Sequence, residues 1–244
     1  RACRPNPWRC VERKESDAFG SVTRTGRSKL SELRTFLKDN ARWLSAGMLL
    51  TGLSSFGQTF FIAIFAADIQ AAFNLSHGAW GAMYTIGTTA SALVMVWAGR
   101  QADIFRVRTR GALSLAALAL ACLAMAFNPW LWLLPFVIFA LRLTGQGMMS
   151  HIAAVAMARW FVATRGRALS IAGLGFSIGQ ALFPIAVVAL MTLLDWRMIW
   201  VICATIAALG IPLLTRLLSQ ERTPASMAKS SESLGMNGKH WTRN

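Results

Sequence analysis

Six stretches of mostly apolar residues recur along this chain, at about 44–66, 79–99, 111–127, 130–158, 168–194 and 198–218, with short polar loops between them. Crossing the hydrocarbon of a bilayer takes about 20 apolar residues in a helix. The pattern therefore predicts an all-α membrane protein, a six-transmembrane-helix bundle spanning 44–218. Ahead of it, 28–43 sets Leu30, Leu33, Phe36 and Leu37 at helical spacing among basic residues, which predicts an amphipathic helix lying in the membrane interface. Residues 1–27 show no periodicity and read as a disordered leader. Residues 219–244, rich in Ser, Lys and Arg, read as a cytoplasmic linker or tail.

Composition sharpens this reading. The chain is 55% hydrophobic and only 14% charged, with a mean hydropathy of +0.47, which excludes an ordinary soluble domain. A net charge of +15 would suit nucleic acid, but its placement does not. Lys and Arg crowd into 1–43, 100–110, 159–167 and 216–243, whereas the alternate loops hold only Arg197. That alternation is the positive-inside pattern, so both termini are expected in the cytoplasm with six crossings between them. Trp43, Trp97 and Trp160 then fall at inner ends. Trp80, Trp130, Trp132, Trp196 and Trp200 fall near outer ones, as interfacial anchors do. The expected setting is a multi-pass protein of a bacterial inner membrane, with the lipid bilayer and a small solute as partners. Cys122 and Cys203 lie within spans as small apolar side chains, and Cys3 and Cys10 have no nearby His motif. Neither a metal site nor a cofactor is expected. No cleavable signal peptide is visible, because some forty polar residues precede the first apolar stretch. The chain begins with Arg and has its first Met at Met48, so a fragment is expected.

Arg142 stands close to the middle of the fourth span. A guanidinium there costs a few kcal/mol on insertion scales and persists where it faces protein or a water-filled cavity. At a rise of about 1.5 Å per residue, Gln58, Arg142, Gln146 and Gln180 lie within about a helical turn of the bilayer centre, on three helices. They form a candidate polar ring around a solute path. Arg142 and Gln146, four apart, share a helix face. Arg presents a planar fork of donors suited to a carboxylate, so the candidate ligand is an anion held at the midplane. The alternative is that these side chains only bond between helices. Tyr84, in the outer half of the second span, is a candidate lining or interface residue. His151 follows Arg142 by nine residues, which on a regular helix turns it to the opposite face and suggests a satisfied interhelical role, with a proton relay as the alternative. No acidic residue lies inside a span, and no paired acids or His-x-x-x-His spacing offers chemistry for an enzyme.

The loop after the second span, Gly99-Arg-Gln-Ala-Asp103-Ile-Phe-Arg106-Val-Arg108, resembles the major facilitator superfamily signature between its second and third helices. Gly99, Asp103 and Arg108 match that pattern, while Ile104, Arg106 and Val107 depart from it. In the fourth span Arg142-Leu-Thr-Gly145-Gln-Gly147 is similar to the family's Arg-and-Gly signature. Gly175-x-x-x-Gly179 with Pro184 resembles its antiporter signature, but Gln180 stands where Pro should follow Gly, so no antiport is implied. Trp160-Phe161-x-x-x-Arg165-Gly166-Arg167-Ala168 is similar to the corresponding loop of monocarboxylate and other organic-anion members.

The resemblance implies a secondary transporter for a small anionic organic solute, working by alternating access. Gly99, Asp103 and Arg108 would form a gating loop, and Gly145, Gly147, Gly175 and Gly179 would serve helix packing. It also implies one half of a twelve-helix major facilitator fold. The partner expected is then a C-terminal six-helix half, or failing that a second copy in a homodimer. The competing reading is a six-span channel, or a structural membrane protein without transport activity of its own.

Overall fold

The computed structural model describes residues 31–102 and 106–220, so the leader at 1–27, Asp103 and the tail from 221 onward lie outside the described residues. Six helical stretches are long and apolar enough to cross a membrane: α1 (Ser31–Ile64), α2 (His77–Gly99), α3 (Val107–Phe127), α4 (Leu131–Trp160), α5 (Arg165–Met191) and α6 (Trp196–Leu217). No strand occurs among the described residues. Residues up to Ala41 form one unit and Arg42 onward a second. In the first, 31–40 are helical, and Thr35 and Asn40 donate back one turn to the carbonyls of Ser31 and Phe36.

The ends of these helices follow from local chemistry. Between α1 and α2 a short helix, Ala66–Phe73, stops at Asn74, which takes the left-handed conformation (φ 50°) that Asn tolerates better than most residues. The Ser76 hydroxyl then accepts from the Ala79 amide at 3.2 Å and starts α2. Before α4, Asn128 Oδ1 accepts from the Trp130 amide at 3.0 Å and folds the Asn128-Pro129 turn. Asp195 caps α6 by accepting from the Arg197 amide at 2.8 Å.

Lipid gives apolar helices no hydrophobic reason to associate, so close fit and interhelical hydrogen bonds must hold them. The tightest fit joins α1 to α4. A Cβ placed on Gly145 would lie 2.6 Å from the Gly57 Cα, closer than real side chains come. Thr51 Oγ1 ties α1 to α5 by donating to the Ala172 carbonyl at 2.5 Å. A Cβ on Gly175 would meet the Met48 carbonyl, and one on Gly179 would meet the Ser55 hydroxyl. Phe56, Phe61 and Phe65 of α1 gather with Phe183 of α5 and Trp200 of α6. Ring centroids lie 5.0 to 6.4 Å apart in tilted or edge-on pairs, the arrangement aromatic quadrupoles favour.

The third span's short Ala/Leu-rich sequence suggests a lipid-facing helix, and the structure corrects this. Leu113, Leu120 and Phe127 are exposed, but Leu115, Leu118, Cys122 and Met125 are fully buried on the other side. Small residues at the crossing bring α3 against α6: a Cβ on Gly111 would lie 2.7 Å from a Leu214 methyl. Elsewhere Leu93, Val96 and Trp97 on α2 and Leu182, Ile185 and Val188 on α5 are exposed, an apolar surface that suits lipid. At one end of the bundle, Arg42 donates to the Arg216 carbonyl (3.2 Å), Ser219 Oγ (2.7 Å) and Gln220 Oε1 (3.2 Å). At the other, Arg197 stacks over Trp196 at 4.3 Å and reaches the Asn128 carbonyl at 3.5 Å.

Candidate functional site

Two irregularities in neighbouring helices build the site. α1 is not one helix. It tightens to a 3₁₀ turn at Ser54–Gly57, breaks at Gln58 with extended backbone (φ −82°, ψ 154°), and restarts as Thr59–Ile64. The Gln58 carbonyl accepts from the amides of Phe61 (3.2 Å) and Ile62 (3.1 Å), so the restart is bonded from its first turn. Small residues at Gly52, Ser54, Ser55 and Gly57 let the backbone deviate beside α4. Irregular backbone at such a depth is tolerated only where protein or a water-filled cavity covers it.

The second irregularity lies opposite. Arg142–Met149 of α4 winds as a π-helix. A π turn bonds i to i+5 and holds about one residue more than an α turn. Eight residues wound this way lag an α-helix by roughly 0.4 of a turn. That lag overturns the placing of His151 on the face opposite Arg142. Both side chains line one cavity of about 430 Å³ between α2 and α4, with Gln146, Gly147 and Ser150 beside them and Thr88, Ser91, Ala92 and Met95 across from them. Sequence periodicity cannot report such a change of phase, because it assumes one period throughout. The run of small and polar residues RLTGQG was the available signal.

Arg142 is only 9% exposed. Its Nη1 donates to Thr59 Oγ1 at 2.7 Å, at the restart of α1, and its guanidinium carbon stands 5.9 Å from the centre of the Tyr84 ring. Its Nε is buried without a hydrogen-bond partner among the described residues, as are Tyr84 OH and Thr88 Oγ1 of α2 and His151 Nε2 of α4. Among the described residues no carboxylate pairs with Arg142. Ser150 Oγ donates to Ser54 Oγ at 3.2 Å and holds the cavity wall to α1.

The remaining candidates fall at varied distances from this centre. Gln146 lines the cavity and is exposed there. Tyr84 lies under the guanidinium. Gln58 is half-buried one residue before Thr59, and its backbone is the break itself. Gln180 stands exposed on α5, outside the lining of this cavity, beside Gly179. Thr59, Thr88 and Ser91 belong to the site and were not expected, since hydroxyl residues in spans so often bond back to their own helix. Of the gating-loop candidates, Gly99 is buried against His151, with 3.7 Å between a Cβ placed on Gly99 and His151 Nε2, and Arg108 is exposed at the start of α3. A Cβ on Gly147 would meet the sulfur of Met95 at 2.9 Å, a flexible neighbour rather than backbone.

A family model described as Major Facilitator Superfamily matches residues 11–243. Neither the curated proteins nor the solved structures hold a match to this chain.

Proposed function

Since the chain belongs to the Major Facilitator Superfamily, we infer that it carries a small organic anion across the membrane by alternating access. It is an integral, multi-pass membrane transporter, and its bundle is a six-helix half of the family's fold. The observation that carries the anionic reading is the isolation of Arg142. A buried guanidinium with no carboxylate partner among the described residues holds an uncompensated charge, and a carboxylate in the cavity supplies the missing counter-charge.

Thr59 occupies Nη1, which leaves the rest of the fork for a carboxylate. Tyr84 and Gln146 flank the position, while Gln58 and Gln180 reach a solute as the helices shift. The loop sequence around Trp160-Phe161 supports a place among the organic-anion carriers. Gly99, Asp103 and Arg108 act at the cytoplasmic gate, and both termini face the cytoplasm, as the distribution of basic residues requires. A facing set of six helices, on the same polypeptide or a second copy, closes the cavity and rocks against this one.

Uptake of a labelled carboxylate panel by cells expressing the protein tests this. Arg142→Ala is expected to abolish uptake, at least about a hundredfold for an unpaired anion, with membrane insertion unchanged. Uptake that survives the substitution removes Arg142 from the mechanism.

A further inference from the structure

The cavity has a charged end and an uncharged one, and the second end implies something about the solute that a counter-charge alone does not. α2 and α4 run side by side along it in fixed register. A Cβ on Gly147 would touch Met95, and one on Gly99 would reach His151. Arg142 and His151 therefore mark two levels of the same wall. They are separated by nine residues, about 13 Å at the α-helical rise and somewhat less through the π segment.

Between them the lining alternates in character. Ser91, Gln146 and Ser150 present hydroxyl and amide groups, and Ala92 and Met95 present an apolar strip. At the far level His151 lines the cavity, and its ring, with Nε2 turned in toward Gly99, has no hydrogen-bond partner among the described residues. An unpartnered imidazole at the cavity wall offers hydrogen-bonding capacity to a group in the cavity. The charged groups that bear on it are few: Arg142 is the one charged side chain in the cavity lining, and α2 contributes Thr88, Ser91, Ala92 and Met95 to that lining.

We propose that the solute is a short hydroxylated carboxylate lying lengthwise in this cavity, and that His151 selects it by bonding hydroxyls remote from the carboxylate. This rests on the carboxylate reading of Arg142 given above. Its carbon chain lies on Ala92 and Met95, and its hydroxyls meet Gln146, Ser150 and His151. A site built with hydrogen-bonding groups rejects an analogue lacking the matching hydroxyls, because its own polar atoms are then left unpaired.

Equilibrium binding to the purified full chain, with three six-carbon probes, tests the proposal. Gluconate has the carboxylate and the hydroxyls, hexanoate only the carboxylate, and sorbitol only the hydroxyls. Gluconate is expected to bind at least about tenfold tighter than either. His151→Phe should bring gluconate down to the level of hexanoate and leave hexanoate within about twofold, whereas His151→Gln, which still hydrogen-bonds, should restore part of the difference. Thermal midpoints of both variants without ligand identify a folding defect, and the Gln variant then decides. Equal binding of gluconate and hexanoate overturns the proposal and leaves the carboxylate reading standing. Equal binding of gluconate and sorbitol overturns the carboxylate reading with it, and so does binding of none of the three.

Discussion

Arg142 shows how little a single charge in a span means until its neighbours are known. Its Nη1 is held by Thr59 Oγ1 at 2.7 Å, across from the break in α1, so the guanidinium is aimed before any solute arrives. Pre-aiming of this kind lowers the ordering cost of binding. Thr59→Val removes the acceptor while nearly keeping the shape. A hydrogen bond to a charged group contributes about 1.5–3 kcal/mol, so the half-saturating concentration of the solute should rise roughly tenfold or more, with the maximal rate much less affected. Saturation curves for uptake by wild type and variant measure this, and an unchanged half-saturation value would mean Thr59 does not orient the fork. Gln180 makes the opposite point: its sequence position predicts the same bilayer depth as Arg142, yet on α5 it stands outside the lining that Arg142 and Gln146 share.

At the scale of elements, the site exists because two helices depart from ideal winding beside each other. The break at Gln58 and the π segment at Arg142–Met149 face one another, and Gly57 and Gly145 let their backbones meet. Gly145→Leu should separate α1 from α4 and cost about 1–3 kcal/mol of overpacking strain. Gly147→Ala, opposed by the flexible Met95, should cost much less. Thermal midpoints in detergent distinguish the two, and similar losses at both positions would contradict the packing described. Apolar spans and small residues at their crossings were legible from the pattern of the chain. The change of helical phase was not. Local winding answers to what a neighbouring backbone presses against, and α1 is more than eighty residues away in sequence from the part of α4 it deforms.

For the whole molecule, orientation is the property most open to direct test. In a background lacking native cysteines, Ser76→Cys and Thr192→Cys should react with a membrane-impermeant maleimide added to intact cells, while Thr164→Cys should react only after permeabilisation. Labelling of position 164 from outside would invert the topology. The ends of the bundle are tied differently, by Arg42 across to Arg216, Ser219 and Gln220 at one end and by Arg197 to Asn128 at the other. Such polar ties sit where water competes, and the buried aromatic cluster of Phe56, Phe61, Phe65 and Trp200 holds the interior.

Sequence by itself determined the six crossings, because burying a backbone in hydrocarbon demands long apolar helices and that demand is written residue by residue. It also determined that Arg142 needs shelter, since an ionised group in oil is costly wherever the chain goes. The tertiary structure alone decided which groups give that shelter. Thr59 and Tyr84 come against the guanidinium, and Thr88 and His151 into the cavity it lines, through a broken helix and a rewound one, and contacts between distant segments, with no fixed period along the chain, set both.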